Sequence, residues 1–411
     1  MFKLKQHYLL TVLISFLLTA CGPAQFDWEE QTSSTGFALA VLDDGTQLNS
    51  ELSARSAEGQ SLGEISLTRS GLTVLSSLGN KFLLIGVEDN NLWRIVLNSD
   101  FQVIEDSILY NGSSVTNMKS HKIGRGLALT WDDNGVLTYY LEDAALVNQL
   151  PQVNSATAFS IDANFQFWVR DLSVALELVQ IDLLSGQEVA RENLPADFAL
   201  ARSLQVNQGF VVATVRNVTQ NNDLLIYSRS AQTLTTLSSS GNFGAFSLDL
   251  LGQDAEGNIY YSYYAFLGHS GFSSGLHIRA ISNSNMEAWD KKLDSANVFD
   301  NQFNYQLKED GLQVLFRTQS TAISSAPFKR TTTSHYVELN SLGKTNKKLY
   351  LQPVVEEVTV IIGIPSVEIS ETVTAGYHAS QFGLDASGNL YLYGYFEGVE
   401  GESGYNFAGR L

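Results

Sequence analysis

Residues 254–261 read Asp254-Ala255-Glu256-Gly257-Asn258-Ile259-Tyr260-Tyr261, a polar turn running straight into an apolar, aromatic segment. Gly and Asn supply the left-handed backbone that a tight antiparallel connection demands, and the residues after them favour an extended chain. The same grammar returns as Gly79-Asn80-Lys81-Phe82-Leu83-Leu84, Gly126-Leu127-Ala128-Leu129, Asn164-Phe165-Gln166-Phe167-Trp168, Gly209-Phe210-Val211-Val212, Gly311-Leu312-Gln313-Val314-Leu315 and Gly388-Asn389-Leu390-Tyr391-Leu392. These seven markers lie 38 to 54 residues apart, except for a last gap of 77. Two more short strands follow each marker, and no stretch sustains a helical period. A recurrence of roughly 40 to 50 residues is the length of one four-stranded propeller blade.

The predicted fold is therefore all-β: a seven-bladed β-propeller of four-stranded antiparallel blades. The last unit supplies strands at 379–385, 389–396 and 405–411 and lacks a fourth. A hairpin at 36–42 and 46–52 belongs to no marker and is expected to provide that outer strand and close the ring, removing open sheet edges. Eight blades also fit, because the 77-residue gap leaves room for a further unit within 353–375.

The N-terminus carries an address. Lys3 and Lys5 precede an uncharged apolar run at 8–18, followed by Leu18-Thr19-Ala20-Cys21. Basic start, apolar core and small residues before a cut are the parts of a secretory signal. A run of eleven residues is too short for a membrane span, which needs about 17 to 25. The tetrapeptide resembles the lipobox of bacterial lipoproteins. That resemblance implies removal of residues 1–20, acylation of Cys21, a lipidated tether at 21–35 and a propeller at 36–411. Gly22 after the cysteine, where the lipoproteins of Gram-negative bacteria retained in the inner membrane have Asp, implies the outer membrane. Cys21 is the only cysteine, so no internal disulfide can form.

Removing residues 1–20 takes away Lys3 and Lys5 and no acid, so a net charge of −18 becomes −20. Such a body repels phosphate backbones, and nucleic acid is excluded as a partner. The partners that remain are the membrane, through lipid on Cys21, and a protein or glycan at the cell envelope.

Two turns carry a further resemblance. Asp254 to Tyr260 and Asp385-Ala386-Ser387-Gly388-Asn389-Leu390-Tyr391 are similar to the D-x-x-G-N-x-Y turn of bacterial SBBP-type and NHL-like propeller repeats, and Trp289-Asp290-Lys291-Lys292-Leu293 resembles the W-x-K-x-L of the former. The eight-bladed lipoprotein of the outer-membrane assembly machinery shares the expected anchor and architecture, but its tryptophan-docking repeat is not visible here.

Little in the chain points to catalysis. His121, His269, His277, His335 and His378 are scattered without zinc spacing, and no nucleophile elbow is present. Asp254 with Glu256, and Asp132-Asp133-Asn134-Gly135, offer oxygen ligands of the kind calcium takes. Asp and Asn also stabilise turns by bonding back to the backbone. No catalytic residue, metal site or cofactor is assigned, calcium being the one ion these turns would suit. The tyrosines of 260–264, with Trp93, Trp131 and Trp168, are expected to pack between blades.

Long connections fall at 267–274, 319–334, 353–377 and 397–404, all on one face of the last three units. They set Lys329 and Arg330 against Glu356, Glu357, Glu397, Glu400 and Glu402. Long loops in a propeller usually carry function. The expected function is a lipid-anchored, non-catalytic binding or scaffold module with this face as its partner surface. A hydrolase or lyase with its site at the channel mouth is the alternative, since fold alone does not choose.

Overall fold

The computed structural model describes residues 23–32, 38–123, 126–154, 158–162, 166–171, 176–216, 222–237, 247–265, 275–294, 303–308, 310–322, 327–361, 367–399 and 401–411. The turn motif is held from within. One carboxylate oxygen of Asp254 accepts the backbone N–H of Glu256 at 3.0 Å and of Asn258 at 2.9 Å. The other takes the Asn258 amide at 2.9 Å and the Tyr260 hydroxyl at 2.6 Å. Asp385 repeats the arrangement with Ser387, Asn389 and Tyr391. Gly257 and Gly388 sit at φ +86° and +81°, where a side chain would strain the backbone. The motif is thus turn chemistry, with both oxygens of each aspartate engaged. Burial raises the pKa of Asp254, which is 2 % exposed, whereas at the more open Asp385 the same penalty is outweighed by hydrogen bonds from Asn389, Tyr391 and Ser387.

The two turns join the first and second strands of blades six and eight in a ring of eight four-stranded antiparallel blades. In chain order the blades occupy 39–64, 72–111, 115–154, 159–193, 201–237, 247–294, 303–350 and 376–410. The first strands of neighbouring blades touch, as Leu39–Val41 does with Leu72–Leu78 and Gly376–Leu384, so they ring the axis and the fourth strands lie outside. The core lies in the seams between blades. Leu137, Tyr139 and Leu141 of blade three meet Phe167, Val179 and Ile181 of blade four. Tyr260 and Ile278 of blade six meet Leu312, Val314 and Phe316 of blade seven. Tyr260, Tyr261, Tyr263 and Tyr264 are all buried, as are Trp93, Trp131 and Trp168. Each such apolar side chain contributes about 1.5–3 kcal/mol.

The count is eight because one blade carries no marker of the expected form. Its turn is Asp43-Asp44-Gly45-Thr46, and its first three strands, Leu39–Val41, Gln47–Asn49 and Ser53–Arg55, have three residues each. The hairpin expected to close the ring is the first half of this blade. Closure comes instead from Trp28–Thr32, which pairs with Tyr405–Arg410 from Trp28↔Arg410 to Thr32↔Asn406. Part of the stretch expected to be tether is therefore blade eight. The 77-residue gap holds no blade. It holds a hairpin, Val354–Ile361 and Val367–Thr374, added to the sheet of blade seven.

Where the chain ends meet, the seam is polar. Arg55 donates to Glu30 at 2.6 Å, the Gln31 carbonyl at 3.1 Å and the Gly59 carbonyl at 2.9 Å. The Tyr393 hydroxyl reaches Gln47 at 3.2 Å across the same seam. Trp28 donates to the Ala57 carbonyl at 2.9 Å with its ring over Gly59, where a Cβ would lie 2.4 Å from the indole. Trp289 does likewise between blades six and seven, donating to Ser341 at 2.8 Å over Gly343. Among the described residues an outer-strand tryptophan thus docks on the next blade's glycine turn twice, although no repeat announces it.

Candidate functional site

Blade seven departs from the pattern. Its second and third strands, Gly311–Ala322 and Phe328–Asn340, stay paired for twelve registered residues, from Gly311↔Asn340 to Ala322↔Lys329. The stretch expected as a loop at 319–334 is therefore largely strand among its described residues. It was hidden because Thr331, Thr332 and Thr333 satisfy strand and loop propensity alike. The start of the third strand then pairs with the inserted hairpin, Phe328↔Val358 through Thr332↔Val354. Val354 and Val358 are buried in that union. The result is a six-stranded sheet, blade seven and the hairpin together, whose added part extends past the end of the blade.

This sheet brings most of the predicted charges together. Lys329 lies 3.8 Å from Glu357 and Arg330 3.7 Å from Glu356, the register partners across the new ladder. Side chains alternate along a strand, so the two pairs occupy opposite faces of the extension. Both are surface pairs, worth about 0–1 kcal/mol each. Glu397, at the end of the second strand of blade eight, is held differently. It accepts from Thr372 of the inserted hairpin at 2.7 Å and contacts His378 Nε2 at 2.7 Å, joining hairpin to blade eight. Beside it, Glu371, Glu397 and Glu402 with the 43 % exposed ring of Tyr395 line an open cleft of about 290 Å³. Glu400 and Cys21 lie outside the described residues, as does the loop at 267–274.

A second cleft lies at the opposite end of blades four to six, where first-to-second-strand turns gather. It measures about 220 Å³ and is rich in carboxamides, including Gln166, Asn207, Gln253 and Asn283. Arg229 lies over the Trp168 ring at 4.9 Å while bonding Glu192 at 2.8 Å and the Asn207 carbonyl at 2.9 Å. The sequence points to none of this, because its members come from three blades.

The described histidines bond within the blades. His277 Nδ1 contacts Asp290 at 2.8 Å, and Asp290 also accepts from Tyr263 at 2.7 Å and Arg279 at 2.9 Å. Burial would raise Asp290, but the bonds from His277, Arg279 and Tyr263 outweigh it and bring the pKa down to about 2. That carboxylate crosslinks three strands. Burial lowers His121 to about 4, with its ring hydrogen-bonded to Thr130 at 3.0 Å. His335 is lowered by burial as well and meets Thr318 at 2.8 Å. Among the described residues no group of three or more His, Cys, Asp or Glu side chains is placed to hold a metal ion.

No family model matches the chain, and no curated protein does. Several solved structures are similar to it over most of their length. Hsv2 of Kluyveromyces lactis with its complete loop 6CD is 9 % identical, covering 76 % of this chain and 98 % of its own, with a TM-score of 0.41. The N-terminal domain of Nup159 is 10 % identical, covering 79 % and 94 %, with a TM-score of 0.38. The WD40 repeats of RRP9 are 10 % identical, covering 84 % and 96 %, with a TM-score of 0.39. At such scores nothing about those proteins carries over, and the propeller rests on the strand pairing described above.

Proposed function

We propose that this chain is a lipid-anchored β-propeller of the bacterial cell envelope that holds a protein or glycan partner without catalysis, using the surface of blades seven and eight. One observation carries the reading. Seven blades keep four strands, while blade seven adds a two-stranded hairpin and lengthens two of its own strands. Ring closure needs none of that addition, since Trp28–Thr32 completes the ring elsewhere. Polar, half-exposed structure that closure does not require is where propellers place recognition. The anchor is supported by Leu18-Thr19-Ala20-Cys21. More than one acyl chain on Cys21 would hold the body stably at a bilayer.

The test is photo-crosslinking in intact cells from positions Lys329 and Glu402, with Val103 of blade two as the control. The same partner captured from both positions, and lost when residues 354–374 are replaced by a short Gly-Ser link, is the expected result. Equal capture from Val103, or capture that survives the deletion, would sink the reading. Labelled palmitate incorporated by the wild-type chain and not by Cys21→Ala tests the anchor.

A further inference from the structure

The cleft shared by blades four, five and six holds two kinds of polar side chain. One kind is committed to the protein. Asn207, 5 % exposed, accepts the backbone N–H groups of Gly209 at 3.0 Å and Phe210 at 2.8 Å, and donates to the Gly257 carbonyl at 3.0 Å. Asn283 accepts from the Gln208 N–H at 3.1 Å and donates to the Glu256 carbonyl at 3.4 Å. Together they tie a turn of blade five to blade six and fix the wall of the cleft before any ligand arrives.

The other kind is spare. Gln253 Oε1 is buried without a hydrogen-bond partner. Buried polar atoms are nearly always paired, so one that is not calls for a partner from outside the fold. Gln180 gives its Nε2 to Gln166 at 3.2 Å, and among the described residues nothing donates to its Oε1. Arg229 spends Nε on Glu192 and Nη1 on the carbonyls of Asn207 and Gln208, so its Nη2 donors stay unused among the described residues. All three side chains line the same space of about 220 Å³.

This mixture selects a ligand class. Unused acceptors on two glutamines turn away an anion, as do Asp162 and Glu256 in the lining and a net charge of −18 on the chain. Arg229 turns away a cation. A hydroxyl group donates and accepts at once, and a carboxamide does the same, so a neutral polyhydroxylated ring satisfies every spare group. The volume is below the roughly 300–1,000 Å³ of drug-sized sites, which limits the occupant to one such ring. Trp168 is 6 % exposed with Arg229 over its face at 4.9 Å, so recognition is by hydrogen bonds and not by stacking.

We propose that this cleft is a second binding site, one that takes a single neutral sugar ring through hydrogen bonds from Gln253, Gln180 and Arg229 to its hydroxyls. It is independent of any partner held by blades seven and eight.

Saturation-transfer difference NMR on the purified full-length chain tests it, with D-glucose, D-galactose, D-mannose and N-acetyl-D-glucosamine as probes at millimolar concentration. Transfer to at least one of them is expected, with none to permethylated glucose, which keeps the ring and loses the donors. Gln253→Leu removes a carboxamide whose oxygen no protein group needs. The melting temperature should therefore not fall, while the dissociation constant rises about three- to tenfold. Gln180→Leu should weaken binding in the same direction, and Glu402→Gln in the cleft beside blade eight should leave it unchanged. No transfer to any of these sugars overturns the site. So does binding that keeps full strength in both glutamine variants, that is lost in Glu402→Gln, or that permethylated glucose matches.

Discussion

Blades one and seven flank the same blade eight and are built on opposite scales. Blade one has three strands of three residues and a fourth of four, whereas blade seven has strands of 12 and 13 residues and an added hairpin. Both hold blade eight, by different means. Blade one does so through Arg55, Gln47 and the glycine turn under Trp28, and blade seven through an apolar seam of Leu315, Tyr336 and Leu351 against Phe382, Leu392 and Phe407. Closing the ring sets a minimum strand length, and blade one shows how low it is. What blade seven has beyond that minimum is free to serve something else.

The sharpest way to break this contrast is at the tryptophans that dock on the two blades. Trp28→Ala removes the clasp on blade one and should cost about 4 kcal/mol, the range for deleting a large packed aromatic. Urea unfolding measures it, with Trp289→Ala, the blade-six tryptophan that docks on blade seven, as the comparison. A loss under about 1 kcal/mol for Trp28→Ala would mean that the clasp does not close the ring.

Acid should act away from blade one, which contains no histidine. His121 is held near 4 by burial, below its unfolded value, so the unfolded chain binds the extra proton between about pH 6.5 and 4. The stability is complete above about pH 6.5 and falls as pH drops towards 4, by up to about 3 kcal/mol. His335 in blade seven is lowered in the same direction. Hydrogen exchange at pH 5 should therefore show blades three and seven opening before blade one. Earliest opening in residues 39–64 would contradict that.

Arg55→Ala leaves the seam beside blade one without its buried guanidinium, whose side chain is 5 % exposed, and should cost about 2 kcal/mol. Replacing residues 354–374 with a Gly-Ser link gives up the burial of Val354 and Val358 but also releases the conformational entropy of ordering the hairpin, and the net cost should be less, about 1 kcal/mol. Calorimetry ranks the two, and a larger loss from the hairpin would make it part of the ring. The smallest effect belongs to Lys329 and Glu357. A double-mutant cycle should find a coupling of about 0.5 kcal/mol or less, and a coupling well above that would show the pair to be a structural lock.

How much of this was legible depends on how far each interaction reaches along the chain. Turns such as Asp254 to Tyr260 close within six residues, so their letters declare them. Seven of the eight first-to-second-strand turns were readable for that reason. Gly45 escaped because three-residue strands show too little alternation to be seen. The opposite charges of Lys329 and Arg330 against Glu356 and Glu357 were readable as complementary, but their meeting depends on a ladder between a supposed loop and an insertion. Glu397 stood in the same list, yet its partners are Thr372 and His378, which charge alone does not suggest.

The sequence by itself determined the propeller class, the blade length and the turn chemistry, because each follows from local backbone preference and side-chain period. Only the tertiary structure decided the blade count, the closing strand and the place where the chain joins the body. Trp28–Thr32 reads Trp-Glu-Glu-Gln-Thr, with no apolar alternation of its own. It becomes a strand because Tyr405–Arg410, at the far end of the chain, offers an edge that must be paired. A strand of that kind is specified by its neighbour.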